Sequence, residues 1–209
     1  YLLELVADRR RRPSDDLLTA LAGATVDGER LTDDQIVSTA MVLLMAGHEA
    51  AVNASSNGIA ALAAHPDQWR LVRDGTIAPR AAIEEVLRWD PPLQWFERWV
   101  LDDGVVIAGT EIPKGGRVAL VLAAANRDPR KHPDPDRFDV ARTDTSHLSL
   151  GGGIHFCIGA PLARLELETT LTELARTEEA IHVLPGTARR PTFQFRGYEH
   201  LVIALSRPG

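Results

Sequence analysis

The chain has 209 residues, of which 44% are apolar and 25% are charged, as is typical of a soluble globular protein. Its net charge of −6 and its lack of an aromatic-basic patch argue against nucleic acid as a partner. The single cysteine, Cys157, excludes an internal disulfide framework and fits a reducing compartment.

The first predicted element is a helix over residues 1–10, because the apolar residues within 2–6 already have helical spacing. The chain therefore starts inside a helix with Tyr1 rather than with methionine, as a fragment would. No signal peptide opens it, so a cytoplasmic protein is expected. A second helix is predicted after residues 13–16, and residues 27–28 form a predicted turn.

A long helix is predicted from about residue 32 to about residue 64. Thr32 and Gln35 have the spacing of a capping box, and an apolar run follows them. Polar residues interrupt this run near its middle, where a bilayer would penalise them most: His48, Glu49, Asn53 and Asn57. We therefore predict a buried helix that crosses a domain, and no membrane partner.

Within this helix, residues 46–50 form an unusual small-residue segment, Ala-Gly-His-Glu-Ala. A mid-helix glycine such as Gly47 costs about 1 kcal/mol relative to alanine. Its presence suggests the close approach of another group or a local groove. The alternative is that residues 46–51 serve only helix packing.

The next elements are a short helix that starts at Pro66 and a helix over about 79–89. The latter carries Glu85 and Arg88 at i, i+3, and Glu84 and Arg88 at i, i+4, both of which are ordinary surface pairings. Strands are predicted at 98–101, 105–107 and 117–122, and residues 125–150 form an irregular meander. A helix over 161–176 and strands near 181–184, 192–195 and 200–205 complete the chain.

The segment Leu150–Gly159, with the sequence LGGGIHFCIG, is the most informative part of the chain. Its glycines permit positive φ and a close approach to a flat ligand. A helix that starts at Pro161 would place its positive end near Cys157 and favour the thiolate. The alternatives are a buried structural cysteine, a zinc site, for which Cys157 and His155 lack the usual spacing, and a phosphate loop, which would need a lysine.

Residues 150–164 resemble the haem-binding loop of the cytochrome P450 family. The resemblance implies that Cys157 is the axial ligand of a haem iron, because a thiolate pushes electron density toward the iron and favours O–O cleavage. Arg98 and His155 would contact the haem propionates. Leu150 departs from the family's usual phenylalanine, a change expected to tune haem potential or affinity. The implied cofactor-binding residues are Cys157, His155, Arg98, Leu150, Gly151, Gly153, Gly159 and Ala46.

Other motifs follow in the family's order. Glu85 and Arg88 resemble its Glu-x-x-Arg pair, and Arg137 in the segment Pro-Asp-Arg-Phe would complete a buried structural triad. Residues 46–50 resemble the oxygen-binding motif, with Glu49 as the acid and with Gly47 and Ala50 beside the oxygen. Ala50 replaces the family's threonine, so we hypothesise that water or a substrate hydroxyl supplies the missing alcohol.

The resemblance implies a mainly α fold with small β-sheets, namely the C-terminal half of a single cytochrome P450 domain. It implies haem b, O2, a ferredoxin-type redox partner and a small organic substrate, as in bacterial members, together with a missing N-terminal half of the same enzyme. The reaction would insert one oxygen atom into the substrate. Residues that match substrate-facing segments are Leu93, Gln94, Gln194 and Phe195.

Two alternatives to an active monooxygenase remain. Some members of the family are non-catalytic auxiliary proteins that bind and activate a partner enzyme. Such a protein needs no cysteine ligand, so the presence of Cys157, His155 and Arg98 favours the enzyme, whereas Ala50 and Leu150 leave the alternative open. The other alternative is that this polypeptide alone is an inactive fragment of an active enzyme.

Overall fold

A computed structural model describes residues 1–206 of the chain. These residues form seven α-helices and ten short strands, and the strands pair into five antiparallel sheets of two strands each. The mainly α fold with small β-sheets predicted from the sequence is therefore confirmed. The chain divides into two compact units, residues 1–49 and the residues from 50 onward, and one long helix belongs to both.

The first unit contains helices α1 (Leu2–Arg11) and α2 (Leu17–Gly23), the hairpin of β1 (Thr25–Val26) and β2 (Glu29–Arg30), and the first part of α3 (Asp33–Ala64). Its small core is made by one residue from each helix: Val6, Ala22 and Ile36. The hairpin turns at Asp27 and Gly28, which both have positive φ, at +53° and +84°. This is the geometry of a two-residue turn of type I′.

Helix α3 starts where the sequence predicts it. The Thr32 amide donates to Oε1 of Gln35 at 2.8 Å, and the Gln35 amide donates to Oγ1 of Thr32 at 3.3 Å, which completes the capping box. By length and composition α3 is apolar enough to cross a membrane. This is weak evidence for a membrane span, because core helices of soluble proteins pass the same test. Only 11% of its most apolar window is buried within the chain, so the expected burial is wrong for that stretch.

The second unit adds α4 (Pro66–Arg73), α5 (Pro79–Trp89), α6 (Leu122–Ala125) and α7 (Ala160–Thr177) to the rest of α3. Proline stands in the first turn of α4, α5 and α7, where it sets φ without losing a helical hydrogen bond. Helix α3 packs closely on α5, because a Cβ at Gly58 would lie 3.0 Å from Cγ1 of Val86. The core is built from these helices around Leu62, Trp69, Ile83, Phe138 and Leu167.

The strands of the second unit form four antiparallel pairs, some of them hairpins and others between strands distant in the chain. They are β3 (Phe96–Trp99) with β6 (Arg117–Leu120), β4 (Val105–Ile107) with β5 (Thr110–Ile112), β7 (Ala180–Val183) with β10 (Ile203–Ser206), and β8 (Ala188–Arg189) with β9 (Tyr198–His200). The predicted strand at 192–195 is wrong. Those residues form a turn whose Phe195 makes a single bridge to Leu93.

After Ala125, which ends α6, the predicted meander at 125–150 contains no helix or strand. Side chains fix it instead. The Asn126 side chain accepts from the amide of Leu148 at 2.8 Å and donates to Oγ of Ser149 at 2.8 Å. Ser149 in turn donates to the carbonyl of Leu87 on α5 at 2.5 Å. The meander is therefore attached to α5 where it passes into the loop that contains Cys157.

Candidate functional site

The cysteine loop, residues 148–159, connects the meander to α7. Gly151 has a φ of +73°, and a Cβ there would lie 3.0 Å from the carbonyl oxygen of His155, so the turn requires glycine. Gly153 also has positive φ, at +60°, with open space around it. Three backbone hydrogen bonds close the loop: Gly151 N–H to Leu148 O at 2.8 Å, Cys157 N–H to Leu150 O at 2.8 Å, and Phe156 N–H to Gly153 O at 3.1 Å.

The surface around Cys157 is apolar. The cysteine itself is partly exposed, whereas Ile154 is 97% exposed, Ile158 87% and Phe156 51%. Apolar side chains clustered on a surface in this way mark a binding site. A thiol surrounded by them fits a flat, largely apolar macrocycle whose metal is bound through sulfur. No three His, Cys, Asp or Glu side chains of residues 1–206 lie together as a metal cluster.

Helix α7 begins just after the cysteine, with Gly159 as its N-cap. Its eighteen residues direct the positive end of the helix dipole toward the loop. Arg164, in the second turn, adds a full positive charge. The pKa of Arg164 is raised chiefly by hydrogen bonds to Glu84 and also by its electrostatic interaction with Cys157. The cysteine loop therefore leads into the positive end of α7 and lies near a guanidinium.

Glu84 connects three segments around the loop. Its carboxylate accepts from Arg164 of α7 at 2.6 Å and 2.9 Å, and its Oε2 lies 3.1 Å from Nε2 of His147 in the meander. Burial alone would raise the pKa of Glu84, but the hydrogen bonds from His147 and Arg164 lower it to about 2. An ionised carboxylate of α5 therefore connects the meander just before the cysteine loop to α7 just after it.

Glu85 and Arg88, the next pair on α5, are both completely buried. The guanidinium of Arg88 donates to both oxygens of Glu85, at 2.7 Å and 2.8 Å. The same guanidinium donates to the meander carbonyls of Asn126, Pro135 and Arg137 at 2.9–3.1 Å. Buried charges need both an ionic partner and hydrogen bonds, and Arg88 has both. Through its hydrogen bonds the pair fixes the backbone of the meander against α5.

The prediction that the Arg137 side chain completes this triad is wrong. That side chain is 64% exposed and lies 3.8 Å from Asp139, so Arg137 contributes only its backbone carbonyl. The third cation is Arg142, which is 10% exposed and has its Nε 3.3 Å from Oε2 of Glu85. Arg142 also donates to the carbonyls of Pro133, Asp134 and Arg137. Arg137 directly precedes Phe138 and Arg142 follows it by four residues. Only the turn geometry between them determines that Arg142, and not Arg137, contacts Glu85.

Arg98 and His155 are the two predicted propionate contacts. Arg98 lies on β3, partly buried, with its guanidinium donating to the carbonyl of Glu97 at 2.8 Å and resting 5.5 Å from the centre of the Phe96 ring. His155 lies in a 3-10 turn, Gly153–His155, and is exposed. Their role toward a propionate stays a prediction.

The predicted oxygen-site residues Ala46, Gly47, Glu49 and Ala50 lie mid-way along α3. No described atom lies within 4 Å of a Cβ placed at Gly47, so the chain itself supplies no close neighbour there. Ala46 and Gly47 are exposed, and Glu49 and Ala50 are partly exposed. Their catalytic role stays a prediction.

The two segments predicted to face a substrate lie side by side. Leu93 and Phe195 form an antiparallel bridge, and the amide of Gln94 donates to the carbonyl of Gln194 at 2.9 Å. The Gln94 side chain is buried and donates to the carbonyl of Pro91 at 2.6 Å. Gln194 is exposed, whereas Leu93 and Phe195 are partly buried.

Sequence reasoning missed a group of polar residues behind this substrate-facing pair. Asp90 and Asn57 are buried, and both contact arginines of the 189–196 segment. In the sequence, Asn57 stands out only as an interruption of an apolar run. A signal was nevertheless present, because polar residues inside an otherwise apolar helix need buried partners elsewhere in the chain.

The comparisons with known proteins agree on one family. The family model for cytochrome P450 matches residues 79–192. The chain is 42% identical to 6-deoxyerythronolide B hydroxylase of Saccharopolyspora erythraea and 44% identical to vitamin D(3) 25-hydroxylase of Pseudonocardia autotrophica. Each alignment covers 98% of this chain and 52% of the relative. The chain therefore spans about half the length of the curated relatives it matches.

Solved structures give the same result. The chain superposes on P450BioI in complex with a hexadec-9Z-enoic acid-ligated acyl carrier protein with a TM-score of 0.92 and 36% identity. The match covers 99% of this chain and 53% of that one. The structure of CYP109E1 from Bacillus megaterium in complex with testosterone matches with a TM-score of 0.88 and 35% identity, over 97% of this chain and 57% of the other.

Proposed function

The chain belongs to the cytochrome P450 family, and on this premise we propose that the complete protein is a haem-thiolate monooxygenase that acts on a small organic substrate. The observation that carries the proposal is Cys157, a partly exposed thiol in a glycine-rich turn with exposed apolar neighbours and a helix N-terminus directly after it. A purely structural cysteine would be buried among apolar side chains.

The family's cofactor is haem, and we propose that it is haem b. Cys157 would ligate the iron, Arg98 and His155 would bind the propionates, and Leu150, Gly151, Gly153, Gly159 and Ala46 would border the ring. When bound, haem supplies the activation of O2 that inserts one oxygen atom into the substrate and reduces the other to water. The positive end of the α7 dipole would face the sulfur that ligates the iron.

Proton supply is the second task of the protein. We propose that the Glu49 carboxylate participates in it and that Gly47 and Ala50 leave room for oxygen. Ala50 offers no hydroxyl, so water or a hydroxyl of the substrate would hold and pass the proton. Leu93, Gln94, Gln194 and Phe195 would shape the substrate pocket, which agrees with their pairing in the structure.

The relatives support the reaction class and the need for partners. Two of them are named as hydroxylases of organic molecules, 6-deoxyerythronolide B and vitamin D(3). We propose a ferredoxin-type electron donor, a cytoplasmic location, and a second half of about equal length that covers the exposed apolar residues of α3. Those residues are Met41, Val42, Leu44, Met45 and Val52.

A carbon-monoxide difference spectrum of the reduced, complete gene product tests the proposal. We expect haem uptake and the red-shifted Soret band of a thiolate-ligated haem. The non-catalytic auxiliary protein is the alternative, and an intact, folded product that takes up no haem would support it and contradict the monooxygenase. The 209-residue chain measured in parallel shows whether this portion alone retains haem.

A further inference from the structure

A buried polar cluster lies behind the substrate-facing pair of segments. It consists of Asn57 on α3, Asp90 at the end of α5, Arg189 just before the turn 190–197, and Arg196 within that turn. Asn57 is completely buried and Asp90 is 5% exposed. None of these residues belongs to a motif of the family quoted above, and none lies in the cysteine loop.

Every polar atom of the two buried side chains has a partner. Asp90 Oδ2 accepts from Arg189 and Oδ1 accepts from Nε of Arg196, each at 2.7 Å. The Asn57 amide nitrogen donates to the carbonyls of Asp90 at 3.1 Å and Arg196 at 3.0 Å. Its Oδ1 accepts from Arg189 at 3.2 Å. Because such satisfied networks fix one geometry, the turn is held to both helices at once.

Backbone contacts extend this fixation to the substrate-facing residues. The Arg196 amide donates to the carbonyl of Pro92 at 2.8 Å, and the next bonds along the pair are those of Leu93–Phe195 and Gln94–Gln194. Gly197 lies against Asn53, and a Cβ there would come within 2.1 Å of Oδ1 of Asn53. The polar cluster and these backbone bonds therefore act together on the placement of residues 193–196 against residues 91–94.

We infer that Asp90 and Asn57 are positioning residues that set the width of the substrate pocket by fixing the 190–197 turn against residues 91–94. The inference rests on the proposed function, because it takes residues 93–94 and 194–195 as the pocket wall. Neither residue needs to touch substrate or haem. Their effect should therefore depend on ligand size, whereas a loss of haem ligation would affect ligands of every size.

The test compares two nitrogen ligands of haem, imidazole and the larger 4-phenylimidazole, in the complete, haem-loaded protein. For Asp90→Asn and Asn57→Ala we expect the ratio of their dissociation constants to change by about tenfold or more, with imidazole affinity altered by less than about twofold. The carbon-monoxide spectrum should stay unchanged. Asp136→Asn is the matched control, because Asp136 is 85% exposed and pairs with Arg127 outside the cluster.

Arg189→Lys covers the case in which the stronger variants do not fold. Lysine keeps the charge but cannot contact Asp90 and Asn57 together, so a ratio changed by about threefold is expected. A folded Arg189→Lys protein, or either stronger variant, with the wild-type ratio overturns the inference. Failure of the proposed function is separate, because the unmutated protein would then lack the thiolate-type spectrum.

Discussion

Replacing Arg142 by alanine should destabilise the protein far more than replacing Arg137 by alanine. Both substitutions remove one positive charge and a side chain of the same size, five residues apart in the meander. Arg142 is 10% exposed and contacts the completely buried Glu85, whereas Arg137 is 64% exposed and contacts Asp139 at 3.8 Å. The two variants are therefore matched controls for each other.

The contacts of the two arginines determine how much unfolding free energy each substitution should remove. Arg142→Ala loses a 3.3 Å ion pair with Glu85 and hydrogen bonds to the carbonyls of Pro133, Asp134 and Arg137. Removing one partner of a buried ion pair costs about 3–5 kcal/mol, and Arg88 still pairs both oxygens of Glu85, so we expect about 3 kcal/mol. Arg137→Ala keeps the carbonyl that Arg88 uses and should cost less than about 0.5 kcal/mol.

The assay is urea denaturation of the complete, haem-loaded protein, followed by far-ultraviolet circular dichroism and by the Soret band. The midpoint should fall clearly for Arg142→Ala and stay near wild type for Arg137→Ala. Equal midpoints, or a larger loss for Arg137→Ala, would refute the assignment of Arg142 as the third charge of the buried cluster.

Three further predictions concern the cysteine loop and oxygen use. Glu84 has a pKa of about 2 instead of 4.5, and at 1.36 kcal/mol for each pH unit the difference corresponds to about 3 kcal/mol. This stabilisation is complete above about pH 5 and is lost as the pH falls toward 2. Glu84→Gln should therefore lower the urea midpoint at pH 7 and make the midpoint decline less steeply in acid. Parallel pH profiles of the variant and the wild type would contradict this. Gly151→Ala should lower the free energy of unfolding by about 1–3 kcal/mol, because the φ of Gly151 is +73°. Its control, Gly152→Ala, has a φ of −162° and open space around it, so its free energy of unfolding should stay within about 0.5 kcal/mol of wild type. Equal denaturation midpoints for the two variants would rule out the backbone argument. Ala50→Thr should change the share of reducing equivalents that end in product rather than peroxide, and unchanged coupling and product formation would show that the hydroxyl has no role.

The sequence was sufficient where local signals decide structure. The capping box at Thr32 and the prolines at the helix starts place α3, α5 and α7 within a residue or two of their predicted ends. The resemblance of the cysteine loop to the family's haem-binding loop could be recognised because its glycines and cysteine are contiguous in the chain. Such features depend on neighbouring residues and therefore do not require knowledge of the tertiary fold.

Three features could not be predicted because they depend on distant contacts. The choice of Arg142 over Arg137 follows from a meander without periodicity, in which turn geometry alone directs each side chain. The 192–195 segment has strand-like composition, but the cluster of Asp90 and Asn57 holds it as a turn. The expected burial of α3 fails at residues such as Met45 because no described residue covers them, which residue composition does not reveal.

The most direct test of the account is the carbon-monoxide difference spectrum of a Cys157→Ala variant of the complete protein. If the sulfur of Cys157 is the axial ligand, the variant must lose the red-shifted Soret band that the unmutated protein shows. A variant that binds haem and keeps the same red-shifted band would contradict the central claim.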